Sequence, residues 1–258
     1  MTPSLLRIEL RKLLPYKTAW VILAVFAALL FLILHISSNV TINGQTAGPS
    51  FYEFPGLWPK VTYVASYFNL LLGILIVIAV TDEFTFRTLR QQIIDGYTRA
   101  DVVQAKYSVV LLLGFACALY VFLLGLFFGI TRATEVPFSK MYVDAEAVLY
   151  YLVQAIGYMS LAMLFGFLIK KSGLAILAFL IYAKILEPII HYQLPDHIDK
   201  YFPMKVLSSL TPMPGKEMFE MVTGASEALT PMHALLPAVL YIGLFSFLSY
   251  FLLRFRDL

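Results

Sequence analysis

Few side chains in this sequence could do chemistry, and the most unusual two sit inside an apolar block. Lys184 and Glu187 lie three residues apart within LAILAFLIYAKILEPIIH. At helical spacing they share a face and can pair. Charges inside an apolar span are costly unless paired or hydrated, and they mark substrate or ion paths as well as structural ion pairs. Both readings stand for Lys184 and Glu187: lining or gate of a translocation path, or an ion pair that fixes packing. Pro188 follows and should end or kink the helix. His35, His191 and His197, even with Asp196, match no metal-ligand spacing, so no metal site is expected. A nucleotide-binding loop of the form G-x-x-x-x-G-K-[ST] is absent; the nearest fragment, Gly215-Lys216-Glu217, lacks the first glycine and the hydroxyl. The expectation is a chain that is not an enzyme and holds no cofactor of its own.

The elements that would position these residues are apolar and long. Of 258 residues, 60% are hydrophobic and 14% charged, and the mean hydropathy is +0.80. Soluble domains carry about a quarter charged residues, so a soluble enzyme, a disordered chain and a disulfide scaffold are all excluded. The lone Cys117 permits no intrachain disulfide. Six blocks, Thr18–Ile36, Val61–Thr81, Tyr107–Ile130, Val148–Ile169, Ser172–Ile190 and Leu235–Leu253, are each about long enough to cross a ~30 Å hydrocarbon layer. The expected fold is an all-α polytopic membrane protein, one domain over residues 1–258 with six transmembrane helices. Lys and Arg fall twelve to one side and six to the other, with Lys184 inside a span. The basic side is normally cytoplasmic, which places both termini in the cytoplasm. The first block lacks a cleavage pattern and is expected to be retained.

Between the blocks, three stretches are patterned. In residues 1–15 the run LLRIELRKLLPYK sets Leu6, Leu10, Leu13 and Leu14 near one face and Arg7, Arg11 and Lys12 on the other. That predicts an interfacial helix, its basic side toward lipid headgroups, ended by Pro15. Residues 82–99 repeat Phe86, Leu89 and Ile93 at helical spacing, and Glu83 and Arg87 can pair at i,i+4. Asp95-Gly96 reads as a turn with glycine as C-cap, and Thr98 with Asp101 as a capping box opening the next helix. A short amphipathic helix at this face suits a groove on a partner. Residues 191–234 form an external segment, with short helices expected near Ile198–Ser209 and Lys216–Val222. Gly125 and Gly129 make a GxxxG step for close helix packing.

The stretch EFTFRTLRQQIIDGYTRADVVQAK resembles the cytoplasmic signature of ABC-2 type permeases, the membrane subunits of ABC exporters. The matching residues are Glu83, Thr88, Arg90, Thr98, Arg99 and Lys106; Arg87 stands where that family usually has glycine. The resemblance implies a coupling helix, carried by Glu83, Arg87, Arg90, Asp95, Gly96, Thr98 and Arg99, that docks on a separate ATPase. It also implies two ATPase copies that bind ATP and Mg, a second permease copy (homodimer or related paralogue), membrane lipid around the spans, no nucleic acid, and a bacterial inner membrane. The alternative is an ion- or proton-coupled secondary carrier using Lys184 and Glu187. Asp82–Arg87 is also similar to the acidic motif of CAAX-type intramembrane proteases. The required histidine motif should follow it, however, and Phe31 and His35 precede it.

Overall fold

The computed structural model describes residues 3–37, 41–42, 45–46, 49–133, 138–191, 193–215 and 228–255. Apart from a two-residue antiparallel pairing of β1 (Thr41–Ile42) with β2 (Gln45–Thr46), the regular structure is helical. Helix α1 (Pro3–Leu13) stops before Pro15, and α2 (Lys17–Ile36) follows. Then come α3 (Leu57–Ser66), α4 (Asn69–Thr85), the short α5 (Thr88–Ile94), the 34-residue α6 (Arg99–Arg132) and α7 (Glu146–Ile169). The apolar stretch Ser172–His191 is built of α8 (Ser172–Ile181), a π turn over Tyr182–Leu186, and α9 (Glu187–His191). The short helices α10 (Asp196–Asp199) and α11 (Pro203–Ser209) precede α12 (Pro231–Phe255). The helix expected near Lys216–Val222 lies outside the described residues.

Among the described residues five helices are long and apolar enough to cross a membrane, or six spans when the pair α3–α4 counts as one. That pair replaces the straight second span expected from the sequence. Its helices meet at 42°. At the junction Phe68 N–H bonds to Ala65 and Leu71 N–H to Phe68, three residues back, so the ladder tightens where the axis turns. Asn69, fully buried at the bend, donates to Gln154 of α7 at 3.2 Å. The polar anchor holds the bend against the bundle.

Helix α7 is the centre. It packs on α3, α4, α6, α8 and α12, and small residues such as Ala155 and Ala162 let its neighbours approach. Gly125 in α6 serves the same end: a Cβ there would stand 2.6 Å from the Trp58 ring, which stacks on Phe122 and donates to the Met141 carbonyl at 2.8 Å. The GxxxG step is therefore a seat for α3 within the chain. Apolar side chains on the outer faces of α2, α6 and α12, among them Val21, Leu32, Phe115, Leu123, Leu240 and Phe247, are exposed. Such faces suit a hydrocarbon solvent.

Candidate functional site

At one end of the bundle the chain gathers four buried or half-buried charges from three elements. Glu9 of α1 lies between Lys12 (3.1 Å) and Lys106 of α6 (2.6 Å). Glu83 of α4 binds the same two lysines, each at 2.7 Å. Lys106 also donates to the Ala79 carbonyl at 3.2 Å, and the Thr88 hydroxyl donates to the second Glu83 oxygen. Two positive and two negative charges close on themselves, with every carboxylate oxygen engaged. Buried ions need this: unpaired, each would carry a desolvation penalty of several kcal/mol. Sequence reasoning missed Glu9 altogether and put Lys12 on the lipid-facing side of α1. The leucines and basic residues dominate the amphipathic pattern, and nothing local marks one glutamate among them as the partner of a lysine 97 residues away.

The arrangement also corrects the expected pairing of Glu83 with Arg87. Arg87 adopts a left-handed conformation (φ 56°) at the start of α5, which turns it away from the α4 axis, and it is exposed. Arg90 and Asp95 are exposed too, with Asp95 accepting from Gln91 at 3.1 Å. The apolar stripe divides: Leu89 is buried and Ile93 packs half-buried against the core, while Phe86 is 69% exposed, as is Ile94 outside the stripe. Helix α5 ends as expected. Gly96 (φ 95°) donates to Ile93 and Tyr97 to Gln92, a Schellman arrangement that satisfies the last carbonyls. Thr98 and Asp101 form a reciprocal capping box that opens α6. Arg99 turns to the C-terminal end of α12, donating to the Leu253 carbonyl at 2.9 Å and to that of Arg254. Cations are favoured there by the helix dipole. Of the seven residues expected to face a partner, Arg87, Arg90, Asp95, Gly96 and Thr98 lie on the surface. Glu83 and Arg99 are turned inward as ties.

At the opposite end Lys184 and Glu187 do not pair. The π turn between them sets the Glu187 N–H on the Tyr182 carbonyl, five residues back. A turn this wide advances each residue by fewer degrees than an α-helix does, so three steps no longer bring Glu187 onto the face of Lys184. Glu187 is fully buried and accepts the N–H groups of Met204 (2.6 Å) and Lys205 (3.0 Å), capping α11 from another segment. The wide turn also explains why Pro188 does not end the helix: the ladder is already displaced where its missing N–H would count. His191 stands 3.6 Å from Glu187 and 3.5 Å from Asp199, which Lys205 holds at 2.5 Å. Among the described residues no group of histidine, cysteine, aspartate and glutamate could hold a metal.

Lys184 instead faces an open cavity of about 910 Å³, between the α3–α4 bend, α7, the π turn and α11. Its wall includes Tyr63, Tyr67, Gln154, Tyr158 and Lys205. Gln154 accepts from Asn69 and, at 3.1 Å, from Thr211, so the cavity wall and the bend share one buried polar network. Nothing in the local sequence around Gln154, Asn69 or Thr211 signals that they meet, because they are brought together by packing alone. In comparisons with known proteins, no family model matches the chain and no curated protein gives a significant match.

Proposed function

We propose that the chain is the membrane-spanning permease subunit of an ATP-driven exporter, working with a separate ATPase. In this reading it crosses a bacterial inner membrane six times, the α3–α4 pair counting as one span. Both termini, α1 and α5 lie in the cytoplasm, with α1 along the interface. Two copies pair, and two ATPase subunits sit beneath them. The observation that carries the reading is α5 and its mounting. A seven-residue helix stands out between two spans, fixed at its end by Gly96 and followed at once by the Thr98 cap. The helix offers Arg90 and Ile94 to the outside, and the two residues leading into it add Phe86 and Arg87. Thr88 ties its first turn to the charge cluster that joins α1, α4 and α6. A push on α5 is thus delivered to three elements together, which is what rigid-body gating needs. The carrier alternative relied on a Lys184–Glu187 pair, and Glu187 is committed to capping α11.

The test is whether an ATP-binding-cassette ATPase co-purifies with the chain, and how fast it hydrolyses ATP with it in proteoliposomes. Arg90→Glu reverses an exposed charge without touching the core, so folding should survive within about 0.5 kcal/mol. ATPase binding and its stimulation should fall, because a like charge set into a contact costs several kcal/mol. Wild-type values for both would remove the reading's main support.

A further inference from the structure

We infer that the 910 Å³ cavity beside Lys184 is the binding site for the anionic head of an amphiphile, one bearing a single phosphate or carboxylate group. The inference rests on the permease reading and names the substrate class. Lys184 lies seven residues before the end of the apolar stretch Ser172–His191, about 10 Å in at 1.5 Å per residue. Gln154 lies eight residues into α7, at about 12 Å. The cavity therefore reaches well below the bundle end. A lysine exposed at that depth is tolerable where it meets water or an anion, and such residues mark substrate paths.

The lining then selects the ligand. Tyr63 and Tyr67, whose hydroxyls bond each other at 2.5 Å and leave one proton between them, and Tyr158 supply hydroxyl donors. Lys205 also lines the wall, but Asp199 neutralises it. No carboxylate lines the cavity among the described residues, so Lys184 leaves one net positive charge there. Among the described lining groups a cationic ligand meets no counter-charge, whereas an anion meets an ammonium and tyrosine hydroxyls on the same wall, and hydrogen bonds to charged groups are the stronger class. Met213 and Leu229 add apolar surface at the cavity's edge, beside which a hydrocarbon portion can lie. The volume falls within the ~300–1,000 Å³ usual for small-molecule sites.

The permease alone, full-length and in neutral detergent, is titrated with three radiolabelled probes in a scintillation-proximity assay: dioctanoyl phosphatidic acid, dioctanoyl phosphatidylcholine and inorganic phosphate. Phosphatidic acid should bind tightest. Lys184→Met should weaken it about tenfold or more, the worth of a hydrogen bond to a charged group. Lys184→Arg should retain most of the affinity, Tyr67→Phe should lose a smaller part, and Lys140→Met, at the same end and exposed, should match wild type. Thermal unfolding midpoints equal to wild type exclude misfolding as the cause. Equal binding by Lys184→Met, or equal affinity for phosphatidylcholine, overturns the proposal. Inorganic phosphate binding as tightly as phosphatidic acid overturns the amphiphile and leaves a free-anion site. No ATPase is present in the assay, so its failure and that of the permease reading are separable.

Discussion

Lys106 shows how much one buried side chain can organise. It is the only residue of the charge cluster that meets both glutamates while almost wholly inaccessible, and it reaches a backbone carbonyl besides. Replacing it by methionine leaves Glu9 and Glu83 facing each other with Lys12 alone. Breaking such a buried arrangement costs ~3–5 kcal/mol. Lys12→Met should cost much less, about 1 kcal/mol or under, because a third of that side chain is already in solvent. Unfolding in detergent, followed by circular dichroism against heat or denaturant, measures both. The double variant Lys106→Met with Glu83→Gln should lose less than the two single losses added together, since neighbours in one network couple. A Lys106→Met protein as stable as wild type would mean that the cluster holds nothing.

The short helix α5 depends on one backbone conformation. Gly96 sits at φ 95°, where an L side chain is strained, although there is open space around it. Gly96→Val should therefore cost ~1–3 kcal/mol through backbone strain alone, whereas Gly96→Asn should be milder because asparagine tolerates left-handed geometry. Hydrogen exchange should report it as faster exchange over Thr88–Ile94, with α7 unchanged. This turn was legible from the sequence because every signal for it is local: the Asp95-Gly96 pair, then Thr98 three residues before Asp101. The π turn was not legible. Lys184 and Glu187 have the spacing of an ion pair, and only the distant backbone N–H groups of Met204 and Lys205 reveal what Glu187 is for. The bend at Phe68–Asn69 was hidden for the same reason, since its anchor, Gln154, lies 85 residues away.

Across the whole molecule the distribution of charge makes a claim about sidedness. Lysine and arginine crowd the end that holds α1, α5 and the close of α12. In the proposed reading, the positive-inside rule assigns that end to the cytoplasm. A reporter fused after Leu258 should be active as a cytoplasmic reporter, and one inserted beside Gly215 should register as external. A cytoplasmic Gly215 would reverse the orientation of the Lys184 cavity and of α5 together. The apolar blocks themselves were readable without a structure, because span length and hydropathy follow from the thickness of the hydrocarbon layer.

The charge cluster also has a clock in it. Its members are spread along the chain, with Lys106 made 97 residues after Glu9 and 23 after Glu83. At ~5–20 residues per second of synthesis, Glu9 waits about 5–20 s for its buried partner, and Glu83 about 1–5 s. Through that interval Lys12 can tie α1 to Glu83 of α4, but the buried counter-charge from α6 that both glutamates share is still missing. The ribosome must deliver the start of α6 before the cluster can close, so a translational pause before residue 106 prolongs the time that Glu9 and Glu83 spend without their buried lysine.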